Sequence, residues 1–231
     1  MSAGQQRRAM AAGIAFVALF VAGVIVTFGD TPEIKSSDTA ATAAQKWVSE
    51  LSSSGHRVGL IVGAYLLIVG AIAFVWFCSG LREWLVPGAM TGRTITALSA
   101  LGAGAMAVAA LIGGAGVAGG VEFGENPLPQ NGDALRVSGE LFFPFLFVAF
   151  GLVSAAVIGT VVASATRAGA LPRWLAYAGW IGALGSIAGV VFLPFVLPLL
   201  WYLAIAILGF ARARPGTAAP PPPGAPPAPS G

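Results

Sequence analysis

Charge is what this chain has least of: Asp, Glu, Lys and Arg make up 9% of its 231 residues, against about a quarter in soluble domains. With so few charges it cannot keep an ordinary globular surface in water, so a soluble enzyme or carrier is excluded from the start. Cysteine occurs once, as Cys78, which excludes an internal disulfide and a C-x-x-C redox pair. Histidine also occurs once, as His56, leaving no ligand set for a zinc site, and no metal or other cofactor is expected. The net charge is +3, but the 12 basic residues stand in ones and twos beside apolar runs. They form no patch that would hold nucleic acid.

What fills the chain instead is apolar. AVILMFWYC residues reach 57% and the mean hydropathy is +0.85. Uncharged runs of 18 or more residues recur, and each is long enough for a helix to cross the roughly 30 Å hydrocarbon core of a bilayer. Four come first: 9–28, 58–80, 94–118 and 141–165. The first follows Arg7 and Arg8 and exits through TFGDTPE, which offers no A-x-A-like cleavage site, so it reads as a retained signal anchor.

The uncharged stretch from Trp174 to Phe210 poses the topological question. As one helix its 37 residues would be about 55 Å long, nearly twice the hydrocarbon thickness. Pro194 and Pro198 supply the break, because each removes a backbone donor and disfavours helical geometry at the residue before it. Two spans are therefore expected, 174–192 and 195–211, with the turn near 192–197.

Charge tests the count independently. With six spans and a cytoplasmic N-terminus, Arg7, Arg8, Arg82, Arg93, Arg167, Arg173, Arg212 and Arg214 fall inside, and Lys35, Lys46, Arg57 and Arg136 outside. That is eight against four, in the sense the positive-inside rule requires; five spans would give six against six. The fold class expected is all-α: a polytopic six-helix transmembrane bundle over residues 1–211 with both termini cytoplasmic, in a bacterial plasma membrane. Residues 212–231 form a disordered Pro-rich tail, in which PxxP matches such as 220–223 are unavoidable.

Between spans lie two outer segments. In 29–57, Ser36, Ser37 and Asp38 suit a helix start, Ala44, Trp47, Val48 and Leu51 fall on one face, and Gly55 suits a stop. A short amphipathic helix on the membrane surface, anchored by Trp47, is expected there. The segment 119–140 carries N-P, L-P and N-G breakers and reads as loop.

Small residues mark the expected packing faces. Gly102, Met106, Ala110, Gly114 and Ala118 recur every four residues in span three, and Ala178, Gly182 and Ser186, with Gly185 and Gly189, do so in span five. In lipid such faces let backbones approach closely, for packing within the bundle or for self-association. Aromatics crowd elsewhere. Phe142, Phe143, Phe145, Phe147 and Phe150 lie in the outer half of span four, with Phe192 and Phe195 at the same level. They either line an apolar pocket or pack against one another and lipid. Trp47, Trp84, Trp174 and Tyr202 fit interfacial belts.

No ionisable Asp, Glu, Lys, Arg or His lies inside a span, which argues against ion- or proton-coupled transport. His56 reads as a solvated interfacial residue with no carboxylate placed to tune it. Asp30, Glu33 and Asp38 match no calcium loop. Acid-base catalysis would have to come from Glu122, Glu125 or Asp133, with no histidine or cysteine near them, so no enzyme is expected.

GAYLLIVGAIAFVWFCSGLREWL at 63–85, LPRWLAYAGWIGALG at 171–185 and the later LLWYLAIAIL together resemble a family of uncharacterised integral membrane proteins common in actinobacteria. The resemblance covers about half the chain and implies six helices in a prokaryotic plasma membrane, with no activity to carry over. The function expected is that of a non-enzymatic scaffold or accessory subunit whose partners are the lipid bilayer and a second copy or another membrane protein. The alternative is a binder or carrier of lipophilic molecules or lipids using the outer aromatic zone.

Overall fold

The computed structural model describes residues 2–85, 88–115, 118, 132–188 and 193–213, and among these there is helix and no strand. In chain order the helices are α1 (Ala3–Gly29), α2 (Ala40–Ser52), α3 (Ser54–Leu85), α4 (Ala89–Ala110), α5 (Gly132–Phe143), α6 (Phe150–Arg167), α7 (Arg173–Ile187) and α8 (Val196–Arg212). Four stretches, Ala3–Gly29, Ser54–Leu85, Met90–Gly113 and Leu135–Arg167, are long and apolar enough to cross a membrane, and Val196–Arg212 is a shorter apolar helix. The chain is a membrane protein.

Local chemistry sets the ends of these helices. Ser2 caps α1 by accepting from the Gln5 N–H at 3.3 Å, while the Gln5 side chain accepts from the Ser2 N–H at 2.9 Å, so two orphan donors are met reciprocally. α6 stops at a Schellman turn: Gly169 takes φ +64°, the Gly169 N–H donates to the Thr166 carbonyl and the Ala170 N–H to that of Ala165. Pro172 then opens α7, giving a tight helical hairpin. Gly88, at φ +125°, precedes α4.

Two helices contain a wider turn. Pro144 lacks the N–H that an α-helix needs there, and the chain continues through it by a π-helical turn, Pro144–Ala149, which joins α5 to α6. A second π-helical turn, Leu111–Ala115, extends α4, and the Ser138 hydroxyl of α5 donates to its Ile112 carbonyl.

Helices consecutive in the bundle pack antiparallel. α1 lies along α3, with Gly13 against Phe77, Gly23 against Leu67 and Gly63, and Asp30 over Gly59. A Cβ at Gly23 would come within 2.9 Å of the Leu67 side chain, so the pair depends on small residues. α6 lies along α7, with Gly151 facing the Ser186 carbonyl and Gly159 facing Trp180. α8 folds back on α7: Gly185 faces Pro194, Gly182 faces Pro198, and the Trp201 indole N–H donates to the Leu175 carbonyl at 3.0 Å.

The last helix then meets the first. The Gln6 side-chain amide donates to the Gly209 carbonyl at 3.2 Å, and the Arg7 guanidinium lies 5.0 Å from the centre of the Phe210 ring. Both described ends of the chain therefore share one end of the bundle, here the near end. These contacts place Arg7, Arg8, Arg82, Arg93, Arg167, Arg173 and Arg212 at the near end, and Lys35, Lys46, Arg57 and Arg136 at the far end.

Several expectations change. α7 ends at Ile187, before the expected 192, and its cap Ala188 donates to Leu184 and Ser186; Pro194 sits in a 3-10 turn, Leu193–Phe195, and Pro198 in the first turn of α8. Residues 132–140, expected as loop, form α5, because the breakers stop short of an amphipathic run starting at Gly132. Trp47 is not a lipid anchor: it is 3% exposed and packs with Leu51, Leu60 and Leu135 in a small far-end cluster, over Gly139. Tyr202 is no belt residue either, being buried in the main core. Phe192, Glu122, Glu125, Gly189, Arg214 and the Pro-rich tail lie outside the described residues.

Candidate functional site

The aromatic cluster forms where α1, α3, α6 and α8 converge. Phe150, the first residue of α6, has ring centres of Phe16, Phe20, Phe74 and Phe195 at 5.4–6.2 Å. Phe147 sits 5.3 Å from Phe195 and 4.8 Å from Phe143, and Phe28 lies 5.9 Å from Phe142. Phe145 is partly buried against the same core. The rings thus pack between the helices, mostly edge to face or tilted. Each such pair adds about 0.5–1.5 kcal/mol beyond area burial. Phe16, Phe20, Phe74 and Phe77, on spans one and two, were not singled out from sequence, yet they form the centre of the cluster.

One polar node interrupts this core. The Ser154 and Tyr202 hydroxyls are 2.9 Å apart, the Ser186 hydroxyl donates to the Gly182 carbonyl at 2.9 Å and lies 3.5 Å from that of Ser154, and all three side chains are buried. The node ties α6, α7 and α8 together. It contains no base or acid to activate a hydroxyl, so its chemistry is that of interhelical attachment. Besides Tyr202, the buried polar side chains among the described residues include Thr27, Ser99, Ser154 and Ser186, and no charged side chain is buried there.

The small-residue positions divide. Gly102 packs against Phe74, Phe150 and Val153, Ala110 is buried, Gly182 faces Trp201 and Pro198, and Ser186 belongs to the node. Gly114 falls in the π-helical turn Leu111–Ala115.

At the far end the fold assembles charges that are distant in sequence. The imidazole of His56 has Asp30 at 3.2 Å from Nδ1 and Glu50 at 3.2 Å from Nε2, so the expectation of no neighbouring carboxylate is overturned. The reason is topological: antiparallel packing returns the start of α3 to the end of α1. Lys46 pairs with Asp38 at 2.7 Å and donates to the Glu33 carbonyl at 2.9 Å. The Lys46 hydrogen bond and the Lys35 N–H hold the Asp38 carboxyl below its ordinary value of 3.8. Arg57 closes α2 by donating to the Leu51 and Ser52 carbonyls at 2.8 and 3.1 Å. Asp30 and Asp38 thus turn to different partners, and no group of His, Cys, Asp and Glu among the described residues is arranged to hold a metal ion.

Comparison with protein-family models, with curated proteins and with solved structures finds no match.

Proposed function

We propose that this chain is a six-crossing protein of a bacterial plasma membrane, with both ends in the cytoplasm, acting as a non-enzymatic scaffold or accessory subunit. The observation that carries this reading is the interior itself: interlocked rings around one hydroxyl node, with no charged side chain buried among the described residues. Such an interior provides no path for an ion and no acid-base pair for catalysis. The bundle then serves as a surface for other membrane components.

Six crossings are supported by the α7–α8 hairpin and by the segregation of basic residues to the end where both described ends meet. α7 is 15 residues long, about 22 Å, so it crosses as a partner of α8 rather than alone. The resemblance of 63–85 and 171–185 to actinobacterial membrane proteins favours the bacterial membrane. A fluorescent protein fused after the tail should glow in the cytoplasm, and a dark, well-expressed fusion would refute the topology. Crosslinking in native membranes followed by gentle extraction should yield a stoichiometric partner or a second copy. A monomer alone would refute the scaffold role.

A further inference from the structure

The outward face of α3 carries two open hollows that share a single wall, the indole of Trp76. The first, of about 340 Å³, lies between the near ends of α1 and α3 and is lined by the polar side chains of Gln5, Arg8, Ser79 and Glu83 together with Ala9, Gly80 and Trp76. The second, of about 380 Å³, lies between α3 and α4 and is apolar, lined by Ile68, Ile72 and Val75 on one side and Ala103, Gly104 and Ala107 on the other. It is hollow because α4 presents only small side chains there; a Cβ at Gly104 would meet nothing within 4 Å.

Length and charge then specify an occupant. From Ile68 to Glu83 the helix rises about 22 Å, and one leaflet of a bilayer, headgroup included, is about 20–22 Å thick. Arg8 and Glu83 face the same hollow, and among the described residues neither takes an ion-pair or hydrogen-bond partner. Ser79 spends its proton on the Val75 carbonyl at 2.9 Å and so offers only acceptor lone pairs. A cation and a carboxylate held apart across one cavity match a headgroup that carries both signs.

We propose that this groove is a binding site for a single phospholipid with an ethanolamine headgroup. The phosphate accepts from the Arg8 guanidinium, the primary ammonium donates to Glu83 and Ser79, and one acyl chain passes Trp76 into the apolar hollow beside Gly104. An anionic glycerol headgroup leaves Glu83 facing negative charge, and a choline headgroup has no N–H to donate. The site requires α1, α3 and α4 to cross the bilayer and is independent of the count of six and of the scaffold role.

The test is native mass spectrometry of the full chain in mild detergent, titrated separately with dioleoyl phosphatidylethanolamine, phosphatidylglycerol and phosphatidylcholine. The first lipid should bind at least about fivefold tighter than the other two. Glu83→Gln should bring phosphatidylethanolamine down to the level of phosphatidylcholine, and Arg8→Gln should weaken all three. Gly104→Leu, which fills the apolar hollow, should weaken binding without changing the ranking. Both charged positions are exposed, so the first two variants fold irrespective of the third. Equal affinities for the three lipids, or an unchanged preference in Glu83→Gln, would overturn the proposal.

Discussion

Removing one oxygen from Tyr202 separates the two contributions this residue makes. In Tyr202→Phe the ring remains packed against Phe16, Phe74 and Phe77, at centroid distances of 5.7, 5.7 and 5.9 Å. What is lost is the 2.9 Å contact with the Ser154 hydroxyl and the longer 3.4 Å bond from the Tyr202 hydroxyl to the Ser154 carbonyl. Hydrogen bonds between helices in lipid average about 0.6 kcal/mol and reach about 1.7. Here the loss is bounded from above, because Ser154 keeps Ser186 at 3.5 Å and its hydroxyl can turn back to a carbonyl four residues earlier on α6. The expected coupling between Ser154→Ala and Tyr202→Phe is therefore about 0.5–1.5 kcal/mol. Tyr202→Ala, which also empties the ring's place among its neighbours, should cost about 3–5 kcal/mol. Steric-trapping measurements of unfolding in bicelles, run on both singles and the double, provide the cycle. The reasoning fails if the coupling vanishes, or if Tyr202→Ala is no worse than Tyr202→Phe.

Three further expectations follow from backbone contacts and the far-end charges. Gly151→Leu places a Cβ about where the Ser186 carbonyl stands, 2.7 Å away; α6 and α7 must separate, costing about 1–3 kcal/mol, whereas Gly4→Ala, which meets nothing within 4 Å, should be neutral in the same unfolding assay. Gly169→Val forces a β-branched residue into φ +64° and should lower stability by about 1–2 kcal/mol, read as a shift in the detergent denaturation midpoint. Because Lys46 depresses the Asp38 carboxyl below 3.8, that pairing is fully present above the ordinary carboxylate range and lost as pH falls through the depressed value. Proteolysis of the 30–39 segment should stay slow from neutral pH to about 4 and accelerate only below it, and Asp38→Asn should make it fast across that whole range.

The four long apolar helices were legible because nothing but lipid explains uncharged runs of that length. The aromatic crowd at 142–150 was legible too, but only half of it: its partners Phe16, Phe20 and Phe74 are spaced like any lipid-facing phenylalanine, and only the helix arrangement shows that they converge. The glycines at 13, 23, 59 and 63 stand out less than the richer run in α4, although a Gly recurs at every fourth position from 55 to 63. The carboxylates beside His56 are hidden by sequence distance: Asp30 is 26 residues away, yet a hairpin of two full-length helices must bring them level. The helix through Pro144 could not be read from propensity, since a π-helical turn depends on what the neighbouring Ser138 and Ile112 do.

The bond between Gln6 and Gly209 joins residues 203 positions apart. Until α8 leaves the ribosome, the first helix lacks one of its packing partners, and the rings of Phe16 and Phe20 look out on acyl chains instead of Tyr202 and Phe195. Assembly thus closes like a ring whose clasp is made last, and a chain cut short before residue 193 would be left with an open seam for the cell's membrane proteases to find.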